Sequence, residues 1–377
     1  MTASIYKKLL LDPRRLNNGH RVLSAVDVEQ DLHLLLCALE SAYPAKWIMR
    51  PEQWAEVLQK IKAVQLGASV YNDVFGSVLA DILWQIPDGH LAVKLDGQIL
   101  GKEFHRQTRQ PTTGRNLNDS TSCTAWKIEQ RRTAKGTVSI LAISHFPPAS
   151  DSQWLGFSEA VCRTLDSSAV IVDLRGNRGG DDAKGFELAS ILLGRELEMD
   201  WVREVACETA ESLALQINTY ELIIWNNYDS KDRVAPVELT KHLESLKSKA
   251  SVLAINPLGD GKVVVEQIVG DASETSLAFN KKIFVLVDAV TASSGEWTAL
   301  YLKRHPNTVI VGENTHGMIH FGNSGSLYLP QSGLSITLCM KINELMDGRF
   351  FEKTGISPDI HVSNKDSLGH VLDLGVE

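Results

Sequence analysis

A serine hydroxyl becomes a useful nucleophile when a sharp turn lifts it clear of a sheet and a helix N-terminus leaves free N–H groups beside it. Residues 282–300, KIFVLVDAVTASSGEWTAL, fit that description. Ile283 to Val287 is an apolar run of strand length, and Thr291-Ala292-Ser293-Ser294-Gly295 is a small-residue turn. Glu296, Trp297, Leu300 and Tyr301 then open a helical pattern. A serine that merely caps the helix has the same spacing, so the turn alone leaves both readings open. A base must come from elsewhere in the chain. His90, in Pro87-Asp88-Gly89-His90, stands at a turn directly before an alternating segment, where a strand end would hold an imidazole firmly. A solvated or capping histidine also fits there. The third feature is Arg175-Gly176-Asn177-Arg178-Gly179-Gly180. It lacks the spacing of a phosphate loop. It supplies either a structural turn or backbone N–H groups that converge on an anion.

These groups need elements to hold them. Val28, Leu32, Leu35, Leu36, Leu39 and Tyr43 recur at helical spacing over 26–43, with Pro44 suiting the helix end. Pro51 opens a second helix with Trp54, Val57, Leu58 and Ile61 on one face, and a third is expected over 71–86. Residues 91–100 read as a hairpin turned by Asp96-Gly97. Residues 103–130 are polar and aperiodic, a mobile loop or crossing strand. Strand 138–143, helix 152–165, strand 169–174, the glycine turn and helix 183–193 follow in the order of parallel pairing through crossovers. Residues 201–222 show mixed spacing and 234–249 look helical. Strands are expected at 263–268, 308–311, 326–329 and 334–340, with an extended tail at 350–361. The expected organisation is a helical subdomain at 1–87, entered through a polar lead-in of about 24 residues. A hairpin and polar loop follow at 88–135, then an α/β core at 136–377 with a partly helical insert near 200–250.

Hydrophobic residues make up 44% and charged residues 22% of the 377 positions, ordinary for a globular protein. A formal charge of −8 argues against a non-specific nucleic-acid binder. Five scattered cysteines without a CxxC spacing suggest reduced thiols in a cytoplasmic protein, with no metal ribbon and no disulfide scaffold. The N-terminal leucine run is too short for a signal core, and no membrane span is expected.

Taken in order, PDGH at 87–90, IVDLRGNRGG at 171–180, TASSGE at 291–296 with VGENTHG at 311–317, and GISPDI at 355–360 resemble the C-terminal-processing (tail-specific) family of serine peptidases. The similarity is to its tricorn-core and retinoid-binding-protein-like branch and covers most of the chain from about residue 26. It implies an α/β fold, a mixed sheet core with crossover helices of the ClpP/crotonase-like type, plus the N-terminal helical subdomain. The resemblance puts the nucleophile on Ser293, with Ser294 as the competing register. The Ser-Lys branch would place its lysine at Met318, which cannot take a proton. The tricorn-like branch instead implies His90 as the base and Glu352 as its orienting carboxylate, although Gly89 stands where that branch has a serine. Gly179, or Gly180 as alternate, and the N–H of Ser294 would face the oxyanion. His316 and Arg175 are secondary candidates with structural readings beside functional ones, His145 is a candidate to line the cleft, and Asp359 reads as a structural turn cap. The implied activity is peptide hydrolysis through an acyl-enzyme, with peptide or unfolded-protein substrates, no cofactor and no metal. The alternatives are a non-catalytic peptide or hydrophobic-ligand binder on the same scaffold, and a transpeptidase or peptide cyclase. Many members carry a PDZ module after the histidine block, and the gap here is too short for one.

Overall fold

The computed structural model describes residues 2–12, 19–101, 124–231, 233–266, 277–363 and 366–374. In chain order, α1 (Thr2–Leu9) is followed by β1 (Val22–Ser24), α2 (Ala25–Ala42), α3 (Pro51–Lys62), β2 (Ser69–Tyr71) and α4 (Asn72–Leu83). The hairpin of β3 (Ala92–Leu95) and β4 (Gln98–Ile99) comes next, then β5 (Trp126–Thr133), β6 (Gly136–Ile143) and α5 (Phe157–Arg163). After these come β7 (Ala169–Asp173), α6 (Ala183–Leu193), β8 (Val202–Cys207), α7 (Ala210–Asn227), α8 (Val237–Ile255) and β9 (Lys262–Glu266). The last elements are β10 (Lys282–Val287), α9 (Ser294–Lys303), β11 (Thr308–Gly312), β12 (Phe321–Leu329), β13 (Leu334–Leu345), β14 (Ile360–His361) and α10 (Ser367–Leu374).

Two compact units share these elements, and neither is continuous in sequence. The first comprises Met1–Gln107, Val202–Glu266 and His320–Gly348. Its sheet is antiparallel and built on the long strand β13. β12 runs along one edge of that strand, while β3 and β8 share the other. Leu32, Leu35, Leu39, Phe75, Leu79 and Leu83 from α2 and α4 share one hydrophobic cluster with Leu334, Ile336, Leu338, Met340 and Ile342 of β13. α2 starts at a capping box in which the Ser24 side chain accepts from Asp27 N and the Asp27 carboxylate accepts from Ser24 N. The β3–β4 turn is a two-residue loop with positive φ at Asp96 (50°) and Gly97 (79°), the twist that a tight hairpin favours.

The second unit comprises Thr108–Trp201, Gln267–Ile319 and Arg349–Glu377. Its strands run in the order β14-β11-β10-β7-β6-β5, parallel throughout except for the antiparallel edge pair β5–β6. This is the mixed α/β sheet expected. Every residue of β7 is buried, as is all of β10 after Lys282, which accounts for their uninterrupted apolar runs. Gly185 in α6 lets that helix close on α9, since a Cβ there would lie 2.0 Å from Thr298 Oγ1.

Several local expectations change. The lead-in is not featureless: α1 buries Leu9, whose carbonyl accepts from Asn218 Nδ2, and β1 pairs with β2. The helix expected over 152–165 is broken at Gly156, whose φ of 74° is left-handed, so a single 3₁₀ turn precedes α5. Strand β8 was hidden by its charges. Arg203 and Glu204 meet Glu344 and Lys341 of the neighbouring strand, and so interrupt the apolar alternation. Residues 126–130 lie in β5, whereas 102–123 of the polar loop fall outside the described residues.

Candidate active site

β10 delivers the chain into the serine turn through Asp288, a buried carboxylate whose Oδ1 accepts from the N–H groups of Val290, Thr291 and Gly176. The hydroxyl of Thr291 donates to the Leu174 carbonyl, tying the end of β7 to the same turn. The chain then reaches Ser293 at φ 54° and ψ −120°. That region is costly for a residue with a Cβ, on the order of 1–3 kcal/mol, and persists only where surroundings impose it. Two neighbours do so. The Ser293 N–H donates to Glu296 Oε2 at 3.0 Å, and Ala292 N–H donates to the Asn177 carbonyl at 2.9 Å.

The glycine turn presses against this elbow. A Cβ on Gly179 would lie 2.8 Å from Ser293 Cβ and 2.9 Å from Ser294 N, so only glycine fits, at a φ of 96°. On Gly180 it would strike the Phe146 carbonyl at 1.8 Å. The Gly179 N–H donates to Asn177 Oδ1. Among the described residues the N–H groups of Gly180 and Ser294 have no hydrogen-bond acceptor. Ser294 opens α9, and its hydroxyl donates to the Gly180 carbonyl at 2.6 Å. The two neighbouring serines are therefore unlike: Ser294 ties the helix to the glycine turn, and Ser293 carries the strained backbone.

Glu296 reaches beyond its own helix. It is wholly buried, and its two oxygens accept from the Thr315 hydroxyl and the N–H groups of Gly317, Met318 and Ser293. Burial pushes its pKa up, while those four donors pull it back down. Glu352, also buried, continues the clamp, its Oε2 accepting from Ile319 N–H at 2.9 Å. The segment 315–319 is thus held by two carboxylates. His316 N–H donates to the Thr291 carbonyl. Arg175 binds Asp173 and the Ser367 hydroxyl, and Asp359 accepts from Ile310 N–H and Lys303, so both tie elements together. His145 Nδ1 lies 3.0 Å from the Ser144 hydroxyl.

His90 belongs to the other unit, at the entrance to β3. Its side chain is 14% exposed. Asp88, 1% exposed, holds the turn: Oδ1 accepts from His90 N–H at 2.8 Å, and Oδ2 accepts from the Tyr43 hydroxyl at 2.7 Å. Burial pushes the His90 pKa below its ordinary value, with the Asp88 carboxylate opposing the shift. The ring is therefore neutral near pH 7, the state in which imidazole can accept a proton. Of the six candidates, five lie in the second unit and four of these, Ser293, Ser294, Gly179 and Gly180, interlock. Sequence reasoning assigned no role in the site to Asn177 or Glu296. Their work is to satisfy backbone groups brought together only by folding, and no local spacing announces it.

Residues 137–362 match the family model of peptidase family S41. A nisin-resistance protein of Lactococcus lactis subsp. lactis is 27% identical over 248 residues, 64% of this chain. The match spans only 61% of that protein's length. Among solved structures, a candidate peptidase from Parabacteroides merdae ATCC 43184 superposes with a TM-score of 0.56 at 14% identity, over 93% of this chain and 97% of that one. Mature CPAF gives 0.53 at 15%, with coverage of 93% and 97%. At such identities these two likenesses concern the fold.

Proposed function

Because the chain belongs to peptidase family S41, we propose that it hydrolyses peptide bonds with Ser293 as the nucleophile. The observation that carries this reading is the Ser293 backbone, held at positive φ by Glu296 and pressed against Gly179. Strain maintained at a strand-to-helix turn is what a nucleophile elbow requires, and an ordinary helix cap needs none of it. His90 takes the hydroxyl proton as Ser293 attacks the scissile carbonyl, then returns it to the leaving amine. Glu352 orients the imidazolium. The N–H groups of Gly180 and Ser294 receive the oxyanion, and the Gly179 N–H, already committed to Asn177, holds the turn. Water completes the cycle by releasing the acyl group. Peptides or unfolded segments are the proposed substrates.

Kinetics of single variants test the assignment. Ser293→Ala should cost about 10⁴-fold or more in kcat against an unstructured peptide. Ser294→Ala should retain measurable turnover. Full activity in Ser293→Ala, or loss confined to Ser294→Ala, would overturn the choice of nucleophile.

A further inference from the structure

The turn that carries His90 also gathers three side chains of metal-binding type. One ligand atom each from Asp88, His90 and Cys339 lies within 4.8 Å of the others, all inside the first unit. The His90 Nδ1 to Asp88 Oδ1 distance is 3.9 Å. The sheet brings them together. Ala92 pairs with Thr337, so two residues back along one strand and two forward along the other place His90 beside Cys339. In tetrahedral zinc sites, bonds of about 2.0–2.3 Å set ligand atoms about 3.5 Å apart, a contraction that side-chain rotation supplies. The outer partners such a site needs are present too. The Tyr43 hydroxyl donates to Asp88 Oδ2, and the Ser324 hydroxyl lies 3.5 Å from Cys339 Sγ.

We propose that Asp88, His90 and Cys339 form a binding site for zinc, and that zinc there switches the peptidase off. Aspartate, imidazole and thiolate suit zinc better than magnesium or calcium, which take oxygen ligands. Water would complete the coordination. On binding, the Cys339 thiol gives its proton to solvent as the S–Zn bond forms, and no electron changes hands. A neutral imidazole has one nitrogen lone pair. Once zinc takes it, the other nitrogen carries the ring proton, and His90 has no site left for the proton of Ser293. The inhibition rests on the proposed role of His90; the metal site does not.

The test uses the full chain and zinc alone. Competition against a chromophoric chelator should show one zinc per chain, with affinity falling at least tenfold in Cys339→Ala. It should hold in His33→Ala, which removes the exposed pair formed by His33 Nε2 and Cys37 Sγ, 3.7 Å apart. Cobalt in place of zinc should give a thiolate charge-transfer band that Cys339→Ala abolishes. Binding unaffected by Cys339→Ala, lost instead in His33→Ala, or lacking the thiolate band overturns the site. For the switch, stoichiometric zinc should slow hydrolysis at least tenfold in the wild type, reversibly on adding EDTA. Zinc that binds through Cys339 without slowing an active enzyme overturns the switch. Should neither hydrolysis nor serine labelling be found at all, the peptidase reading fails while the binding experiments still decide the site.

Discussion

At the scale of single residues, the site depends on groups that never touch substrate. Glu296 accepts four hydrogen bonds, three of them from backbone N–H groups. Glu296→Gln turns one oxygen into a donor facing donors, so it should cost about 2–3 kcal/mol of stability. Urea denaturation reads that loss, and serine labelling should slow in the same variant. Gly179→Ala drives a methyl onto Ser293 and should lower kcat about 100-fold, as expected when a reacting group shifts by about 1 Å. As the proposed base, His90 should set the pH response. Its pKa lies below 6.5, so the neutral base is present above that midpoint and is lost as pH falls through it. In EDTA-containing buffer, kcat/KM should therefore rise with pH, with the midpoint of its rising limb below the ordinary imidazole value. A rising limb centred above 7 would contradict a buried, neutral imidazole.

At the scale of elements, buried strands and strongly periodic helices were legible in the sequence, and strands whose alternation is broken by charge were not. The apolar runs of β7 and β10 could be read directly, because burial on both sides leaves no polar interruption, and the span of α6 could be read from its helical periodicity. β8 escaped, and β5 stood only as one of two readings of the polar segment, because their charged side chains are satisfied across the ladder by other strands or by solvent. Ser293, His90 and the glycine turn stood out because their chemistry is local. Asn177 was invisible, since its partners, the Ile143 carbonyl, Gly179 N–H and Ala292 N–H, converge only in the folded sheet. The close approach of α6 to α9 gives a prediction at this scale. Gly185→Val would push its side chain into Thr298 and should destabilise the protein by at least about 2 kcal/mol, visible as a lowered Tm.

At the scale of the whole molecule, the proposed chemistry draws on both compact units, with His90 in one and Ser293 and Glu352 in the other. The stretch after His90 is too short for a separate peptide-binding domain, and on that ground we propose a narrow substrate range: unrelated unfolded proteins should be cut at widely different rates, and uniform digestion of all of them would count against it. The most direct measurement is to treat the folded protein with a serine-reactive phosphonate and locate the adduct by mass spectrometry. The account predicts one modified residue, Ser293, with labelling suppressed by His90→Ala. An adduct on Ser294, or none on any serine of the folded wild-type chain, would contradict it.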